Sequence, residues 1–283
     1  MTLRGSESLS NVRRPAVAGK FYTDDPDELR DQVAGMLATA EGVRTGPALG
    51  AIVPHAGLVY SGECAAQVFG RVEVPEVVVI LAPNHTGRWE NLGGAGAWDR
   101  GSWETPLGSF EIAENFLRRL ESTCQLVAHD PAAHEYEHAI EVELPFLKLQ
   151  APDVKIAPIV LAWDDWDRCR MLANALASVV SESQEEVLLL ASSDMTHFES
   201  ADVARDKDRA ALDAVEALDG ERLLSTCVRE NVTMCGRAPS ATVLEASRQL
   251  GATAGELVDY RHSGWVTGDN SSVVAYAGVV IGA

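Results

Sequence analysis

Five short, almost unbroken apolar runs constrain this chain more than any other feature: Leu49 to Val53, Val77 to Ala82, Ile156 to Leu161, Val187 to Ala191 and Ser272 to Ile281. Each has the length of a strand, and strands read as continuous apolar runs when both of their faces are buried. Helix-patterned stretches lie between most of them: Glu63 to Gly70, Ala113 to Glu121, His138 to Gln150, Asp165 to Ser181, Ala201 to Leu218, Glu221 to Glu230 and Arg237 to Leu250. The alternation predicts an α/β fold, with a mostly parallel or mixed central sheet flanked by helices on both faces. Asp25-Pro26 predicts one further helix, capped by Asp25 with Pro at N1, that ends before a glycine-bearing loop around Gly42 to Gly46. Residues 1–13 read as a loose polar tail. Residues 14–283 read as one domain, because no Pro/Ser/Gly-rich linker interrupts them.

Charge removes several classes of partner. Lys and Arg number 23 against 42 Asp and Glu, a formal net charge of −19. Phosphate backbones and anionic membranes both require a basic footprint, so neither nucleic acid nor membrane is an expected partner. No apolar run approaches the roughly 20 residues that cross a bilayer, and Met1 to Arg14 lacks a signal-peptide core, so cytoplasm is the expected address. The five cysteines are scattered without a C-x-x-C pair, which argues against a disulfide framework or zinc ribbon. α/β chains of this size commonly form symmetric pairs, which makes a homodimer the assembly to test for.

The chemistry lies after the strands. Leu49 to Val53 runs into Pro54-His55-Ala56-Gly57, Val77 to Ala82 into Pro83-Asn84-His85-Thr86-Gly87, and Val187 to Ala191 into Ser192-Ser193-Asp194-Met195-Thr196-His197. Ligands of open α/β sheets bind beyond the carboxyl ends of the strands, so three histidines delivered there imply one shared site. Neutral imidazoles ligate divalent transition metals, and an anionic partner would complete the set. Asp194 is one candidate anion. Cys235 is another, since Gly236 opens a predicted helix with Arg237 beside it, an environment expected to lower a thiol pKa. As a bare alternative, Cys235 is a small buried apolar residue.

Two further patterns share one segment. His134-Glu135-Tyr136-Glu137-His138 spells H-E-x-x-H, the zinc motif of many metalloproteases when carried on a helix. Pro131 places this motif across a helix start, no third ligand follows at a familiar spacing, and the strand-end histidines go unused. The favoured reading instead pairs His138 with Glu141 on one helix face, as an imidazole oriented by a carboxylate.

Taken in order, Arg14 to Tyr22 (RPAVAGKFY), PHAG with Tyr60-Ser61-Gly62, PNHTG, TPLG, EHAIEVELPFL, SSDMTH, MCGRAP and Asp269 to Val273 resemble the Memo family, whose bacterial and archaeal members are often called AmmeMemoRadiSam system protein B. The resemblance runs from about Arg14 to Val280. It implies the fold of the LigB-type class III extradiol dioxygenases, where two His and one Glu hold iron(II) and another His serves as acid and base. It also implies His55, His85 and Cys235 as metal ligands, with His197, Asp194, His138 and Glu141 lining the same pocket in catalytic roles. Thiolate in place of carboxylate softens the site, so copper joins iron(II), with zinc a further candidate. The expected function is a metal-dependent oxidoreductase or redox protein acting on a small molecule or peptide. The alternative is a non-catalytic accessory protein partnering a radical-SAM enzyme and an AMMECR-type protein.

Overall fold

A computed structural model describes residues 11–40 and 48–282. The expected loop around Gly42 to Gly46 and most of the expected tail lie outside the described residues. The first half carries β1 (Val12–Arg13), α1 (Pro26–Ala38), β2 (Gly50–Val53), α2 (Leu58–Phe69), β3 (Val77–Pro83), β4 (Ala95–Ala97), β5 (Ser102–Thr105), β6 (Gly108–Glu111), α3 (Glu114–Thr123), β7 (Val127–His129) and α4 (Leu144–Gln150). The second half carries β8 (Lys155–Leu161), α5 (Trp166–Ser181), β9 (Val187–Ser192), β10 (His197–Glu199), α6 (Ala201–Glu216), α7 (Gly220–Arg229), α8 (Arg237–Gln249), β11 (Ala254–His262), the short α9 (Gly264–Thr267) and β12 (Val273–Gly282).

Among the described residues the main sheet runs β10-β12-β2-β9-β3-β8-β4-β7, with β11 also paired to β12. Its centre, β2-β9-β3-β8, is parallel. Every residue of β2 and β3 is buried, as the apolar runs predict. β12 joins antiparallel to β2, and β4 antiparallel to β8, so the sheet is mixed. Helices cover both faces: a side chain at Gly50 would meet Val243 and Ser247 of α8, whereas one at Gly278 would meet Cys64 and Val68 of α2. Gly50 pairs with Ile281, three positions from Gly278, so these two contacts lie on opposite faces.

A smaller sheet, β1-β5-β6, lies apart from the main one. Among the described residues the first strand, β1, falls within residues 1–13, where Arg13 is buried and stacks over the Trp103 ring at 4.5 Å. The helix expected from His138 does not start there. Residues 141–143 form a 3₁₀ turn and α4 begins at Leu144 with Pro145 in its first turn. No helix among the described residues is long and apolar enough to cross a membrane.

Candidate metal centre

Strands β2, β9 and β3 are parallel neighbours, so their carboxyl ends open on one edge of the sheet. His55, Asp194 and His85 each stand two residues beyond the end of their strand. His138 arrives from the turn before residues 141–143. The rings of His55 and His85 are 5.1 Å apart, those of His55 and His138 5.3 Å, and those of His85 and His138 4.6 Å. One ligand atom from each of the three lies within 4.8 Å of the others, a grouping that could hold a metal ion.

Each ring is oriented through Nδ1. In His85 and His138, Nδ1 lies 2.9 and 3.3 Å from Glu137 Oε1. A carboxylate only accepts, so His85 carries its proton on Nδ1 and keeps a lone pair on Nε2, and the longer contact favours the same tautomer in His138. His55 Nδ1 lies 2.8 Å from Ser192 Oγ. Burial, followed by the charges of His85, His138 and His197, holds His55 well below the ordinary imidazole range. His138 is pushed down to about 4 by burial, with Glu137 acting against the shift. Neutral rings with a free nitrogen are the form that binds metal, so the donor set fits a divalent transition ion.

Glu137 is the residue that composition and spacing did not single out. Its buried carboxylate also accepts from the backbone N–H groups of His85 (2.6 Å), His138 (2.9 Å) and Ala139 (3.0 Å). Burial alone would raise its pKa, but the bonds and charges from His85 and His138 take it below the ordinary carboxylate value. A strand-end Asn-His followed far downstream by a Glu-His pair was the only available signal.

Glu141 has a different duty from the expected one. Its carboxylate accepts from Arg13 Nη1, from the backbone N–H groups of Ala16 and Val17 at 2.8 and 3.0 Å, and from Tyr22 O–H at 2.6 Å. Glu137, not Glu141, is the carboxylate against the His138 ring, because the segment turns here and the helical i, i+3 relation is lost. Arg13 shapes that turn, donating to the carbonyls of His134 and Glu137 as well.

The H-E-x-x-H reading is overturned by the same turn. His134 and His138 do not share a helix face. His134 is fully buried, its Nε2 is 2.8 Å from the Gly96 carbonyl, and its ring packs against Trp98 and Trp103. Glu135 is on the surface, paired with Arg88.

Cys235 reaches the centre from the loop before α8. Its Sγ lies 3.3 Å from His55 Nε2 and accepts from the Asp194 N–H at 3.3 Å. Gly236 makes this approach possible: a Cβ there would lie 2.3 Å from the Ser192 carbonyl oxygen and 2.5 Å from Ser193 Cβ. The expected lowering of the thiol pKa is not found. Burial and then the Asp194 charge push it up, and Arg237 is engaged with Asp164 at 2.5 Å.

Asp194 Oδ1 accepts from the His55 N–H at 2.8 Å, and burial raises its carboxyl to about 7. It therefore fixes the His55 loop, whereas His197 is held by Thr233: the His197 N–H donates to Thr233 Oγ1 at 2.7 Å and His197 Nδ1 lies 3.1 Å from the Thr233 carbonyl. Both side chains, with His138, line a hollow of about 490 Å³ that Phe21, Tyr60, Phe198 and Tyr276 also border.

The family model described as Memo-like protein matches residues 13–280. A MEMO1 family protein of Aquifex aeolicus is 41% identical over 270 residues, covering 95% of this chain and 98% of its own length. Another from Methanopyrus kandleri is 40% identical with the same coverage, and one from Methanosarcina acetivorans is 38% identical over 95% of this chain and 99% of its own.

Proposed function

Since the chain belongs to the Memo family, we propose that it is a metal-dependent oxidoreductase or redox protein. Iron(II) is the first candidate, with copper and zinc behind it. His55, His85 and His138 would hold the ion, and Cys235 would join them on losing its proton. The observation that carries this reading is the shared orientation of three imidazoles, each tied to an oxygen through Nδ1. A bound redox ion would supply Lewis acidity and one-electron chemistry; thiolate ligation favours the softer ions. The protein's own part is positional and protonic. A substrate small enough for the hollow would lie against Asp194 and His197. Asp194, raised to about 7, can give or take a proton at neutral pH, and His197, held through Nδ1 by the Thr233 carbonyl, lines the same hollow.

Metal analysis after aerobic and anaerobic purification tests the reading. Near-stoichiometric iron or copper is expected, lost in His55→Ala and His85→Ala and weakened in Cys235→Ala. Binding should strengthen as pH rises, because the thiol must deprotonate. Absence of bound metal under both conditions overturns the proposal.

An accessory role is the second reading. It is favoured by exposed aromatic side chains, with Phe198 79% and Tyr60 39% exposed at the border of the hollow. Under it the hollow receives a peptide side chain, and a radical-SAM or AMMECR-type protein is the partner. Dioxygen uptake with catechol-type substrates separates the two: uptake supports catalysis, and its absence across a panel supports the accessory role.

A further inference from the structure

Glu143 is fully buried beneath the metal centre and takes no part in the chemistry above. Its Oε1 lies 2.9 Å from Ser192 Oγ, the hydroxyl that contacts His55. That hydroxyl has three close neighbours: the Ala139 carbonyl at 2.7 Å, Glu143 Oε1 and His55 Nδ1 at 2.8 Å. Serine has one proton to give and two lone pairs. The Ala139 carbonyl can only accept, so it takes the serine proton. For the remaining contacts to be attractive, His55 Nδ1 and Glu143 must both donate. Any other assignment either sets lone pairs of two heavy atoms against each other below 3 Å or divides the one serine proton between two acceptors.

From this inventory we propose that Glu143 is a neutral carboxylic acid in the native protein and donates to Ser192 Oγ, fixing the hydroxyl that orients His55 with its lone pair on Nε2. A second observation agrees: Glu143 Oε2 is buried without a hydrogen-bond partner. An orphaned oxygen is tolerable on a neutral acid and costly on a carboxylate. Burial also raises the acid well above its ordinary range, and the charge that acts on it, Asp194, is of the same sign.

The centre is then asymmetric. His85 and His138 are backed by the ionised Glu137, which enriches their free nitrogens, whereas His55 is backed by a hydroxyl that already accepts from an acid. Glu143 is a positioning residue, and only this consequence rests on the metal-site reading.

Infrared difference spectroscopy on the full-length, chelator-treated protein tests the protonation without any metal. The wild type should show a carboxylic-acid C=O band at neutral pH that Glu143→Gln removes. Failure to find a band that this substitution removes overturns the proposal, whether or not the protein binds metal. Metal titration, with circular dichroism to verify folding, tests the positioning. Glu143→Gln keeps an N–H donor and should leave affinity within about threefold, whereas Glu143→Met should lower it about tenfold. Equal affinity in Glu143→Met and wild type overturns the positioning role.

Discussion

Replacing Glu137 tests whether the imidazole cluster is a built site or a coincidence of strand ends. Its carboxylate accepts from four N–H groups, the backbone and ring N–H of His85 and the backbone N–H groups of His138 and Ala139, and lies 3.3 Å from the His138 ring Nδ1. Removing a carboxylate behind a ligand histidine typically costs 10–100-fold in metal affinity. Glu137→Ala frees two rings, so a loss of about 100-fold is expected, or about 2.7 kcal/mol. The same variant orphans the backbone amides of His138 and Ala139, at about 1–3 kcal/mol each, a large share of a typical stability of 5–15 kcal/mol. Glu137→Gln separates the two effects. An amide oxygen at the Oε1 position keeps both rings and both of these amides, while the charge and the bond to the His85 N–H are lost. Affinity should therefore fall only about tenfold with the fold retained. The pH response carries a sign. Because the folded carboxyl sits below its ordinary value, its contribution to stability is present above that value and disappears as pH falls through the depressed one. Glu137→Gln should flatten that acid limb. The measurements are calorimetric metal titration and urea melts across pH. A folded Glu137→Ala that binds as tightly as wild type would refute the argument.

Arg13→Met breaks the buried pair with Glu141 and should cost about 3–5 kcal/mol, read by urea denaturation, because the carboxylate is left without its cation. His134→Leu should lower stability by about 2 kcal/mol through the lost contact with Gly96, yet leave metal affinity unchanged; loss of metal by a folded variant would refute the purely structural role of His134. Phe198 holds φ +62 while 79% exposed. Phe198→Asn should stabilise the fold by about 1 kcal/mol in thermal melts, since asparagine tolerates that backbone. Buried neutral histidines set an acid limit as well. His134 and His138, both lowered to about 4, stay uncharged in the fold while the unfolded chain protonates below about 6.5. Stability should therefore fall from pH 6.5 towards 4, by about 1.4 kcal/mol per pH unit for each ring, which equilibrium unfolding at stepped pH will measure.

The parallel centre of the sheet was readable because β2, β3, β8 and β9 are buried on both faces and carry nothing but apolar residues along most of their length. The edges were not. β4 is Ala-Gly-Ala, too short and too small to show a period, and the long β11 is mostly half-buried, so its pattern is neither an apolar run nor a clean alternation. The histidines His55 and His85 were readable for the same reason as the strands they follow. What orients them was not. Ser192 reads as the first residue after a strand, and Glu137 reads as one more acid in a chain with 42 of them.

The segment Glu137 to Glu143 shows why an α-helical reading fails at a site of this kind. On a helix, residues 137, 141 and 143 would point in two or three directions fixed by the 100° period, and His138 would share a face with Glu141. Arg13 instead takes the carbonyls of His134 and Glu137, and Pro145 cannot supply an N–H to an earlier turn. The backbone therefore passes through a turn and one 3₁₀ step before α4 begins. The three acids then serve three different needs: Glu137 the rings of His85 and His138, Glu141 the buried Arg13, and Glu143 the hydroxyl behind His55. Two are ion-paired or bonded by several N–H groups, and the third, with one hydroxyl for company, is the one that must be neutral. Charge state follows from the donors each acid meets, so a variant that straightened this turn into a helix would disturb all three at once.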